Sequence, residues 1–88
     1  MKIPLVKPLG VFDINNKMIY EGDIVKCISR SDQANMVVIF EAGEFRKVLC
    51  ERYKSYVTGA GYYSINSFDM IIIGNIYDNP EMISFKVK

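Results

Sequence analysis

Met70-Ile71-Ile72-Ile73-Gly74-Asn75-Ile76-Tyr77-Asp78-Asn79-Pro80-Glu81 opens with four apolar residues in a row, three of them isoleucine. β-Branched side chains are stiff at χ1 and favour extended backbone, so the run predicts a strand. It is too short to cross a bilayer and has no helical period, which implies a strand buried on both faces. Gly74 interrupts it, and a glycine inside a strand marks a bulge, a tight bend or the close approach of another backbone. Asn79 can cap a helical turn and Pro80 has φ preset for its first position, so a short turn is expected near 80–82.

Outward from this run the chain supplies strands to pack on it. Tyr62–Phe68 predicts a half-exposed strand leading in, and Ile83-Ser84-Phe85-Lys86-Val87 alternates cleanly enough for a closing edge strand. Residues 51–56 suit a short helical turn, followed by a stretch that Gly59 and Gly61 loosen. Met36–Phe40 and Phe45–Cys50 read as a pair of apolar strands joined by the turn Glu41-Ala42-Gly43-Glu44. Ser29–Asn35 is polar throughout and predicts an exposed loop, and Ile24–Ile28 predicts a strand. Gly22 and Asp23 have turn chemistry, as do Asn15, Asn16 and Lys17 between Val11–Ile14 and Met18–Tyr20. Pro4 and Pro8 make residues 1–10 an extended arm or an edge strand. Short strands at this spacing, joined by glycine turns, predict an all-β fold: a small barrel or a strongly bent antiparallel sheet.

Composition bounds the function. Eighty-eight residues make one domain, 1–88, because a second core would not fit. Half of them are hydrophobic, and oligomerisation is one way for so small a chain to use the surplus. A net charge of +1 gives no overall electrostatic case for nucleic acid or membrane, so any basic surface must be local. Met1-Lys2-Ile3-Pro4-Leu5 does not read as a secretory signal, and a cytoplasmic protein is expected. Cys27 and Cys50 are then two free, buried thiols.

With no histidine, neither a histidine triad nor a histidine metal site can be built. The carboxylates are scattered, and the cysteines lie among apolar residues without a base to activate them. A non-catalytic protein without metal or cofactor is the expectation.

Two blocks carry a resemblance. Asp13-Ile-Asn-Asn-Lys-Met-Ile-Tyr-Glu-Gly-Asp-Ile-Val25 and Ile73-Gly-Asn-Ile-Tyr-Asp-Asn-Pro-Glu81 resemble blocks of the YopX family, in the same order and with a strand hairpin between them. The resemblance spans residues 11 to 83 in outline, and it implies an SH3-like β-barrel and an origin in a phage or prophage. Many relatives have a longer N-terminal region with arginine and tryptophan motifs, whereas this chain has no tryptophan. The resemblance brings no catalytic residues.

Tyr20, Gly22, Asp23, Gly74, Asn75, Tyr77, Asn79 and Pro80 within these blocks are expected as turn and corner residues, with a binding site the competing interpretation. Arg46, Lys47, Arg52 and Lys54 lie close in sequence to Tyr53, Tyr56, Tyr62 and Tyr63. Cations beside aromatic rings suit single-stranded nucleic acid or a nucleotide. Glu44 and Glu51 dilute that charge, and tyrosines in a glycine-containing loop equally suit a protein surface. The favoured expectation is a protein-binding module that self-associates, with a host protein as a possible partner and no membrane. Its apolar patch is expected on Met36–Phe40 and Met70–Ile73. The loop from Cys50 to Tyr63 is the expected contact surface.

Overall fold

In the computed structural model, which describes residues 6–28, 34–57, 59, 61–65 and 70–83, strands form where β-branched and aromatic residues concentrate. They are β1 (Pro8–Phe12), β2 (Met18–Tyr20), β3 (Asp23–Cys27), β4 (Asn35–Glu41), β5 (Glu44–Leu49), β6 (Tyr63–Ser64) and β7 (Met70–Asn75). Two 3-10 turns, η1 (Cys50–Ser55) and η2 (Pro80–Ile83), complete the described elements. The turn residues are those whose chemistry suits them. Asn16 (φ 64°) closes the β1–β2 hairpin and Gly43 (φ 79°) the β4–β5 one, where Ala42 is the exception, holding φ 54° despite its Cβ.

β1 and β2 form a two-stranded sheet; β6-β5-β4-β3-β7 form a second, antiparallel throughout. The all-β expectation holds in its open form, with no closed barrel among the described residues. Both faces of the larger sheet are covered. Val25, Cys27, Met36, Val38 and Met70 pack under Ile19, Leu9 and Val11 of the small hairpin. Ile24 and Val37 pack on the other side against Cys50 and Tyr53 of η1 and Met82 and Ile83 of η2. Burial on both sides is why Met36, Val37 and Val38 are consecutively buried, against the alternation of a one-sided sheet.

The isoleucine run sits differently from its expectation as a strand buried on both faces. β7 is an edge strand, so Met70 is buried but Ile71, Ile72 and Ile73 are half-buried. β3, one strand further in, is the more enclosed. Ile24 faces Gly74 and Val25 faces Ile72, so Ile73 is the extra residue of a bulge beside Gly74.

The outer edge of β7 is met by the β1–β2 turn. Ile14 N–H donates to the Met70 carbonyl (3.0 Å), and Ile72 N–H donates to Asp13 Oδ2 (3.0 Å). A carboxylate thus takes the place of a neighbouring strand's carbonyl, which blunts an otherwise open edge.

Several expectations fall partly outside the described residues, among them the arm 1–10, of which 1–5 lie outside and Pro8–Gly10 open β1. The polar loop is another: of Ser29–Asn35 only Ala34 and Asn35 are described, and Asn35 begins β4. Of the expected strand Tyr62–Phe68, Tyr63 and Ser64 form β6, while 66–68 lie outside. Ile83 belongs to η2 and not to a closing strand, and 84–88 lie outside.

Candidate binding surface

The two sequence blocks meet in space. Asp23 pairs with Asn75, and Ile76 N–H donates to the Gly22 carbonyl (3.0 Å). Gly22 has φ +94°, and a Cβ there would lie 2.9 Å from Cε2 of Tyr77. Gly74 has its own reason to lack a side chain, since a Cβ would lie 2.6 Å from Oδ1 of Asn79.

That Asn79 oxygen accepts from Asn75 N–H, and Asn75 Oδ1 accepts from the N–H groups of Tyr77 and Asp78. Asp23 Oδ2 accepts from Tyr20 N–H, while burial holds its carboxyl above the ordinary value. Burial, reinforced by Glu21, likewise raises the Tyr77 hydroxyl. Pro80 opens η2. These residues bond to one another in turns, which is the chemistry of a corner.

Asp13 belongs with them. Its Oδ1 accepts from Asn15 and Lys17 N–H (2.9 Å each), and its Oδ2 accepts from Ile72. Burial raises a carboxyl's pKa, but these three N–H donors and the Lys17 charge outweigh it and hold Asp13 below its ordinary value.

The eight residues expected to bind divide among three environments. Arg46, only 9% exposed, is enclosed between Glu41 (2.8 Å) and Glu44 (2.7 Å), with its guanidinium 4.0 Å from the Tyr62 ring centroid. Glu44, then Glu41, raise its pKa further above the ordinary arginine value. Tyr56 donates its hydroxyl to Glu41 Oε1, and Gly59 N–H donates to Tyr56. Burial and then Glu41 raise the Tyr56 hydroxyl. Arg46, Tyr56 and Tyr62 thus form a self-satisfied clasp that fastens the loop after η1 to the β4–β5 hairpin.

Lys47 points to the opposite side of the sheet. It is 5% exposed, and its Nζ lies 3.2 Å from Cys27 Sγ. Cys50, the other free thiol, lies in the separate cluster under η1, where burial pushes it up to about 11.

Arg52 and Lys54 are exposed on η1, whereas Tyr53 packs inward and burial raises its hydroxyl. Tyr63 is exposed on β6. The exposed cations of the expected set are therefore Arg52 and Lys54. Arg52 lines a groove of about 280 Å³ with Ser55, Tyr56, Val57 and Gly61.

The exposed apolar residues lie elsewhere than expected. Of the expected patch, Met36, Val37, Val38 and Met70 are buried and Ile39, Phe40 and Ile71–Ile73 are half-buried, while Phe12 (48% exposed), Ile14 (50%) and Tyr20 project from the β1–β2 hairpin. Sequence pattern alone singles out neither Phe12 nor Ile14, because both faces of a two-stranded hairpin carry apolar residues here, and only packing tells which face is covered. Val57, 67% exposed, lies within the expected contact loop Cys50–Tyr63, although as a lone apolar residue with no periodic neighbours it is not singled out by pattern.

Among the described residues no group of histidine, cysteine, aspartate or glutamate is placed to hold a metal ion, and no helix is long and apolar enough to cross a membrane. No curated protein matches the sequence. The family model described as YopX protein matches residues 1–84, the segment that contains both blocks and the corner they build, and the chain belongs to the YopX family.

Proposed function

We propose that this chain is a non-catalytic protein-binding module that self-associates, working as an accessory protein of a phage or prophage in its host's cytoplasm. The observation that carries this is the outward face of the β1–β2 hairpin, where Phe12 and Tyr20 stand exposed beside half-buried Met18, with Ile14 exposed at the turn. Inward-facing Ile19 is fully buried on the same hairpin. Exposed Phe12, Ile14 and Tyr20 on a hairpin whose other face lies in the core make an apolar surface that a second copy of the chain would bury.

Nucleic acid has less support. Exposed Arg52 and Lys54 favour it, but Arg46 is neutralised by two glutamates and Lys47 is turned into the core.

Light scattering on the purified protein tests the self-association. The wild type should be an oligomer, and Phe12→Lys with Tyr20→Lys should give a monomer with an unchanged circular dichroism spectrum. A wild type that is monomeric at high concentration would remove the proposal.

A further inference from the structure

The first 3-10 turn sorts its charges by face. At three residues per turn, i and i+3 eclipse, which puts Cys50 over Tyr53, Glu51 over Lys54 and Arg52 over Ser55. Burial follows that phasing: Cys50 is buried, Tyr53 half-buried and the other four exposed. Lys54 therefore shares its row with a carboxylate. Arg52 shares its row with a hydroxyl, and among the described residues no ion pair neutralises it.

Arg52 and Ser55 line the 280 Å³ groove together with Tyr56, Val57 and Gly61. The tyrosine wall is held in place from behind, because Glu41 accepts the Tyr56 hydroxyl proton and is itself gripped by Arg46. Val57 is the most exposed of the large apolar residues on the molecule's described surface. A guanidinium fork matches a carboxylate in two parallel charge-assisted bonds. Exposed Val57 in the same groove can give such a ligand an apolar contact.

We propose that this groove docks an extended segment of a partner protein, placing a single aspartate or glutamate on Arg52 and an apolar side chain against Val57. The inference rests on the protein-binding reading above and adds the partner's chemistry. A polyanion fits less well, since its affinity comes from neutralising many phosphates. Here one guanidinium has Glu51 on the adjacent row and Glu41 behind the groove wall.

The probe is a random peptide library displayed on yeast and selected on the immobilised full-length protein. Selected peptides are then synthesised and titrated against wild type, Arg52→Glu, Val57→Ser and Phe12→Lys, with an oligothymidylate run in parallel. The selected sequences should share a carboxylate close to an apolar residue. Arg52→Glu and Val57→Ser should each weaken them by roughly tenfold or more, the loss expected for one charge-assisted pair or one apolar contact. Both groove positions are exposed, so circular dichroism should show an intact fold for their variants.

A library with no enrichment overturns the proposal. So do peptides indifferent to Arg52→Glu, and so does oligothymidylate binding that Arg52→Glu abolishes in the absence of peptide binding. Peptides sensitive to Phe12→Lys alone would remove the groove and leave the module reading standing, whereas neither peptide binding nor self-association would remove both.

Discussion

Gly22 occupies a position that no other residue fills without strain. Its φ of +94° lies outside the comfortable range of any residue with a Cβ, and the ring of Tyr77 takes the space that Cβ would need. The two costs separate by mutation. Gly22→Ala should destabilise by about 1–3 kcal/mol, read as a lowered urea midpoint, because the backbone strain persists even if the ring swings away. Trimming the ring with Tyr77→Leu in the same chain should then relieve only the steric part. Full recovery would show that the conformation itself costs nothing. The buried pair of Lys47 and Cys27 is a different residue-scale feature: a long cationic side chain spends its hydrogen bond on a sulfur, a weak acceptor, inside the layer under the small hairpin.

Among the elements, the β1–β2 turn does most to finish the sheet, because Asp13 serves β7 as if it were the next strand. The pH dependence follows from its lowered pKa. A carboxylate whose folded pKa lies below its unfolded value adds stability above the unfolded value and loses it as pH falls through the folded one. Stability from Asp13 should therefore be intact at neutral pH and fade below about pH 4, the ordinary aspartate value. Asp23 is shifted the other way, so its protonation on acidification favours the fold and partly masks the loss.

Asp13→Asn separates them. It keeps one acceptor oxygen and turns an amide NH₂ toward a backbone donor, and should cost about 1–3 kcal/mol at neutral pH. The gap between wild type and Asp13→Asn, measured by denaturation across pH, should narrow as the pH drops below about 4. A constant gap would mean that the charge on Asp13 is irrelevant to holding the β7 edge.

For the molecule as a whole, one sheet serves two apolar layers, with Ile19 at the centre of one and Ile24 at the centre of the other. Adjacent residues on β4 belong to opposite layers, Val37 to one and Val38 to the other, so neither layer can be lost without exposing a strand of the other. Ile19→Ala and Ile24→Ala should each destabilise by about 2–5 kcal/mol, as large-to-small changes at fully buried sites do. Both should leave coincident unfolding curves by circular dichroism and tyrosine fluorescence, the mark of one cooperative unit. Divergent curves for Ile19→Ala alone would mean that the hairpin peels away as a separate layer. The surplus apolar surface on that hairpin's outer side is what the proposed self-association would bury.

Elements with a local cause were legible in the sequence. Isoleucine and valine runs predict strands because branching at Cβ stiffens χ1, and Asn16, Gly43 and Pro80 mark turns because φ is set or permitted locally. The turn residues of the family blocks were visible for the same reason, but what the two blocks do for each other was not: Gly22 makes room for Tyr77, Asp23 pairs with Asn75 and Asp13 accepts from Ile72, all across the fold. Pairing order is not local. Whether Met70–Ile73 is central or at an edge depends on which strands hydrogen-bond beside it, and no side chain in the run encodes that.

The candidate surface divides in the same way. That Arg52 and Tyr56 lie near each other follows from their spacing. That Arg46 is consumed by two glutamates and that Lys47 is buried against Cys27 are outcomes of strand register, because a shift of one residue turns every side chain to the other face. Val57 stands in water because the segment after η1 leaves it uncovered, a matter of tertiary packing.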